Sequence, residues 1–196
     1  MGLVPWLFMN KVINEGIHIF IKYKKFIRKP EFPIEILSYV LILKSFIPFL
    51  VSLLILFSII YYDNGLEQMN LFLLFFTIFL IIIFIRGLAV FLGSICLIIK
   101  DLSKIIPIIL TALLFISPIF YLPKSLGNLI LLGISNPLSY PITCFKYAVT
   151  SNTEYLIFSN SFFDYIILFS LSFLFLLLQI IIIKNIKYFT WFERII

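Results

Sequence analysis

Four apolar runs, residues 36–61, 70–99, 105–121 and 162–183, constrain this chain more than any other feature. A helix of about 20 apolar residues rises far enough to cross the roughly 30 Å hydrocarbon layer of a membrane. Barrel strands would alternate apolar and polar residues over about ten positions. The stretch "LFLLFFTIFLIIIFI" does not alternate. The chain is 63% hydrophobic and 12% charged, where soluble domains carry about 45–50% and 25%. No soluble interior of this size hides that much apolar surface. The expectation is an all-α, polytopic helical membrane protein. It has about five membrane helices plus a pair of short outer re-entrant or gate helices.

The fifth membrane helix is the least regular. Residues 2–21 carry Asn10, Asn14 and His18 at four-residue spacing, with Lys11 and Glu15 beside them. On a helix these share one face, and lipid cannot satisfy such a face. Lys11 and Glu15 are spaced to pair. Run 36–61 is interrupted by Lys44 and Pro48, and run 70–99 contains Arg86. Arg86 lies fifteen residues before Asp101, a helical rise of about 22 Å, so it is expected deep in the layer. Segment 122–160 is broken by Pro123, Pro137, Pro141, Gly127 and Gly133. It reads as two short helices at an outer surface.

Charge orients the chain. Loop 22–35, turn 99–104 and the tail from 184 hold ten Lys and Arg, against two in the alternate connections. The ten mark the cytoplasmic side, with the C-terminus there too. Tyr61, Tyr62, Tyr121, Tyr140 and Tyr155 read as a belt at the opposite interface.

The net charge of +6 is accounted for by these loops, so no nucleic-acid partner is implied. Cys96 and Cys144 sit in different segments and suggest neither a disulfide nor a metal site. No G-x-x-x-x-G-K-[ST] stretch cradles a nucleotide. No carboxylate pair or Ser/His/Asp set lies at a membrane surface, which disfavours an intramembrane enzyme.

Four stretches occur in order: "GLVPWLF" (2–8), "IRKPEFPIEIL" (27–37), "LIIKDLSKIIPIILTALLFISPIFY" (97–121) and "SNPLSYPITCFKYAV" (135–149). Together they resemble the membrane subunit of ABC-2-type exporters of polysaccharides and polyol phosphates, the carriers of O-antigen lipopolysaccharide, capsule and teichoic acid chains. The chain departs from that pattern at Lys100-Asp101, where the family has Arg-Asp, and at Lys146, where it has Arg. A lysine keeps the charge but not the planar fork. The family begins with an amphipathic helix and a first membrane helix ahead of the G-x-x-P-W segment. Residues 1–196 therefore read as a single transmembrane domain incomplete at its N-terminus.

The resemblance implies a transport subunit without catalysis or cofactor of its own. ATP would be bound and hydrolysed by a separate ATP-binding cassette subunit. A second copy of the chain would complete the path for a lipid-linked polysaccharide through a bacterial cytoplasmic (inner) membrane. It implies a coupling and entrance loop (22–35) with Lys25, Arg28, Lys29, Phe32 and Pro33, and a cytoplasmic turn at Lys100 and Asp101. It implies an outer gate region over 122–160, with Pro118, Asn136, Pro137 and Lys146 as the gate residues. Asn10, Asn14, His18 and Arg86 are candidate pore contacts. Another cargo, such as a drug or small lipid, is the competing reading, and a non-functional remnant is a further one.

Overall fold

The computed structural model describes residues 1–27, 29, 32–62, 69–123, 130–158 and 160–192. Among these residues the chain is all-helical, without strands. The helices are α1 (Leu3–Lys22), α2 (Lys24–Ile27), α3 (Glu35–Tyr62), α4 (Leu71–Ile98), α5 (Leu102–Ile116), α6 (Ile130–Ser135), α7 (Ser139–Thr150) and α8 (Ser161–Phe192). The protein is a polytopic helical membrane protein.

Local chemistry sets the limits. Pro5 falls in the first turn of α1, where its missing amide hydrogen has no helical acceptor to lose. Asn70 caps α4, its side chain accepting from the Leu73 amide at 3.1 Å. Ser117 ends α5 in an extended conformation, because the following Pro118 disfavours helix at the residue before it. The expected helix 105–121 therefore stops five residues early, at Ile116.

Among the described residues, three helices are long and apolar enough to cross a membrane: α3, α4 and residues Ser161–Asn185 of α8. With 15 residues, α5 rises about 22 Å, short of the roughly 30 Å layer. The exposed large side chains of α3 and α8 are mostly Leu, Ile and Phe, as lipid-facing surfaces require.

Helix α4 is the centre. It packs against α1 on one side and α8 on the other. Thr77 meets Tyr165, Leu80 meets Ser172 and Arg86 meets Gln179, so α4 and α8 run parallel. Contacts of Phe8 with Phe49 and of Tyr23 with Lys44 make α3 antiparallel to α1. Small residues permit the close approaches. A methyl group at Gly93 would lie 2.5 Å from the Gly16 carbonyl oxygen, and one at Gly16 would lie 2.7 Å from the Ala89 methyl. At Gly87 it would run into the Phe175 backbone. In lipid, such close van der Waals packing drives helix association.

Candidate functional site

Three of the four motif stretches meet at one junction. The α5 helix ends there, and Asn136 donates its amide to the Ser117 hydroxyl at 2.9 Å. The Asn136 side-chain oxygen accepts from the Leu138 amide at 3.0 Å, which turns the chain around exposed Pro137 into α7. One helical stretch later, Lys146 donates to the Pro118 carbonyl at 2.5 Å and to the Tyr121 carbonyl at 3.5 Å. Its ammonium also lies 5.3 Å from the centre of the Tyr155 ring. Gly2, from the first motif, packs against the Lys146 side chain, where a methyl group would come within 2.7 Å.

Asn136 and Lys146 are both buried. Burial pulls the Lys146 ammonium down from the ordinary lysine range to about 8. The expected set Pro118, Asn136, Pro137 and Lys146 is therefore brought together. The far end of α7 is tied to α4, because the Asn70 amide donates to the Ala148 carbonyl at 3.1 Å. Two tyrosines assigned to an interface belt are corrected here. Tyr140 is buried and donates to the Ile134 carbonyl at 3.0 Å. Tyr121 folds back onto the Ile116 carbonyl. Tyr61 and Tyr62 are strongly exposed at the end of α3, as a belt requires.

The second motif lies away from this junction, beyond the C-terminal end of α1. The basic run is not wholly a loop, because Lys24–Ile27 form one helical turn. Lys25 and Lys29 are exposed, and the Lys29 ammonium sits 5.7 Å from the Phe26 ring centre. Phe26 and Phe32 are 5.9 Å apart, and half-buried Phe32 packs on the core. The Pro33 carbonyl accepts from Ile36 at 3.2 Å and starts α3. Arg28 and Pro30 lie outside the described residues. In the turn between α4 and α5, Asp101 pairs with Lys104 at 3.8 Å, both strongly exposed.

Asn14 spends its amide on the Asn10 backbone carbonyl (2.9 Å) and side-chain oxygen (2.6 Å). Asn10 and Asn14 are half-buried, and Lys11, His18 and Lys22 are exposed. Lys11 and Glu15 do not pair; among the described residues the one ion pair is Asp101 with Lys104. The side-chain carboxylate of Glu15 instead lines a groove toward α3, with His18, Lys22 and Lys44.

Arg86 has partners on two other helices. Its Nε donates to the Gln179 side-chain oxygen at 3.0 Å, and its guanidinium stacks 4.7 Å from the Tyr39 ring centre. Gln179 in turn donates to the Ser38 hydroxyl at 3.2 Å, which donates to the Glu35 carbonyl at 2.7 Å. Tyr39 is four residues into α3, only about 6 Å from its start. Arg86 thus lies level with the first turns of α3, because α4 runs on beyond the start of that helix. It is a half-buried node joining α4, α8 and α3.

Gln179 was not singled out from the sequence, though a lone amide inside an apolar run is itself a signal. Asp164 was also missed. It is fully buried at the start of α8, with one oxygen accepting from the Phe158 amide at 3.3 Å and the other without a partner. The Thr77–Tyr165 hydroxyl contact, 2.9 Å, has no local pattern that would reveal it.

Residues 1–150 match the family described as ABC-2 type transporter. No curated protein matches the chain.

Proposed function

The chain belongs to the ABC-2 type transporter family, a multi-pass permease subunit of an ABC exporter, and from that premise we propose that its cargo is a lipid-linked polysaccharide or polyol phosphate. ABC-2 membrane domains are transport permeases that pair with an ATPase subunit and are generally not catalytic themselves. The proposed setting is a bacterial cytoplasmic membrane with the C-terminus inside. Two copies would enclose the path.

One observation carries the cargo reading. "GLVPW", "SPIF" and "SNPLSYPITCFK" converge on a single buried junction built by Asn136 and Lys146. Stretches that resemble one exporter class in order along the chain also belong together in space. In this reading the junction is the base of an outer gate formed by α6 and α7. Residues 22–35 couple it to the ATPase, with Phe32 as the apolar contact and Pro33 as the fixed corner that starts α3.

Replacing Phe32-Pro33 with Ala-Ala should abolish polymer export while the chain still inserts and co-purifies with its ATPase. Polymer reaching the cell surface would be measured by antibody or lectin binding. Undiminished export would remove the coupling role of the loop. Export of a drug or small lipid, with no polymer effect on deletion, would favour the other cargo.

A further inference from the structure

Where α1 and α3 diverge, beyond the Phe8–Phe49 contact (4.6 Å), they leave a groove of about 430 Å³. Its polar lining is Asn14, Glu15, His18, Lys22, Tyr23 and Lys44. Ile19, Val40 and Leu41 form its apolar floor. The Lys44 ammonium has one partner, the Tyr23 hydroxyl at 3.5 Å. The Lys22 ammonium lies 5.9 Å from the centre of the same ring. Neither lysine pairs with Glu15, since the one ion pair among the described residues is elsewhere. Two ammoniums and a hydroxyl therefore converge on one space, against one carboxylate on its wall.

We propose that this groove holds the phosphate of an anionic membrane phospholipid of the phosphatidylglycerol type. The phosphate diester accepts from Lys22, Lys44 and Tyr23, which are charge-assisted and neutral donors on one side of it. Its single negative charge matches the excess of one positive charge in the groove. Glu15 then accepts from headgroup hydroxyls, a role for which a quaternary ammonium has no donor. The acyl chains have a track. Ile47 and Val51, both more than half exposed, continue the Val40–Lys44 stripe along α3. The groove also lies beside the basic run 22–29, in the leaflet where anionic lipid attracts Lys and Arg. The proposal does not depend on the cargo.

The test is native mass spectrometry of the full chain, released from nanodiscs of mixed phosphatidylglycerol and phosphatidylcholine. Phosphatidylglycerol should be retained preferentially. Lys22→Gln and Lys44→Gln should each lower that retention about fivefold, and their combination more. Lys44→Arg should restore it, and Lys104→Gln, in the distant α4–α5 turn, should leave it unchanged. Lys22→Gln changes an exposed side chain in the last turn of α1 and carries the test alone if the Lys44 variant does not fold. Equal retention of the two lipids, full retention in the double variant, or an equal loss in Lys104→Gln overturns the proposal. Displacement by millimolar inorganic phosphate also overturns it, because the site would then read free phosphate rather than lipid.

Discussion

Lys146 shows how one side chain can hold two elements in place. An ammonium buried against two carbonyls and an aromatic face keeps its donors satisfied, yet burial still favours the neutral amine. The sign follows from linkage. Its folded pKa, about 8, lies below the ordinary lysine value of 10.5. Between those values the unfolded chain binds more protons, so this residue adds stability as pH rises from 8 toward 10.5. Melting of the solubilised protein at pH 7 and pH 9.5 should show that gain, and Lys146→Met should remove it. An equal pH response in the variant would show that Lys146 does not titrate there. Arg86 makes a separate residue-scale prediction. A double-mutant cycle of Arg86→Leu and Gln179→Leu should give a coupling of about 0.6 kcal/mol, the average for membrane side-chain hydrogen bonds, and no more than about 1.7 kcal/mol. Additive losses would mean that the 3.0 Å contact contributes nothing. Lys146 and Asn136 were legible in the sequence because each belongs to a patterned stretch. Gln179 was not, because its partner stands 93 residues away and no local spacing links them.

Elements are held by backbone proximity more than by side-chain polarity. The α1–α4 seam depends on Gly16, Ala89 and Gly93, and the α4–α8 seam on Gly87. Gly87→Ala should cost about 1–3 kcal/mol by overpacking against the Phe175 backbone, read as earlier unfolding in detergent. An unchanged melting temperature would show that α8 shifts freely. The long runs announced their helices closely, since a membrane leaves an apolar run little alternative to helix. Their neighbours were less legible. The five-residue error at the end of α5 came from reading apolarity through "SPIFY", where Pro118 decides the backbone. The partners of Arg86 were not legible, because they stand on α3 and α8 and no local spacing links them to it. The helices are staggered, and only tertiary packing shows the stagger.

At the scale of the molecule, the proposed topology puts the α4–α5 turn inside and the end of α3 outside, as its charge asymmetry would require. A cysteine at Tyr62, strongly exposed in the structure, should react with a membrane-impermeant maleimide in intact cells. One at Lys100 should react only after permeabilisation. The reverse pattern would invert the topology and with it the outer position of the gate. The native Cys96 and Cys144 are both buried and leave a low background.

The Arg86–Gln179 contact also has a history in time. A ribosome adds about 5–20 residues per second, and 93 residues separate the two partners. Arg86 is therefore made on the order of 5–20 seconds before the amide that satisfies it. Tyr39 is already synthesised, so its ring is the one of these two contacts that can attend the cation while α8 is still unmade. By order of synthesis, the stack that looks secondary in the finished protein is the contact available first.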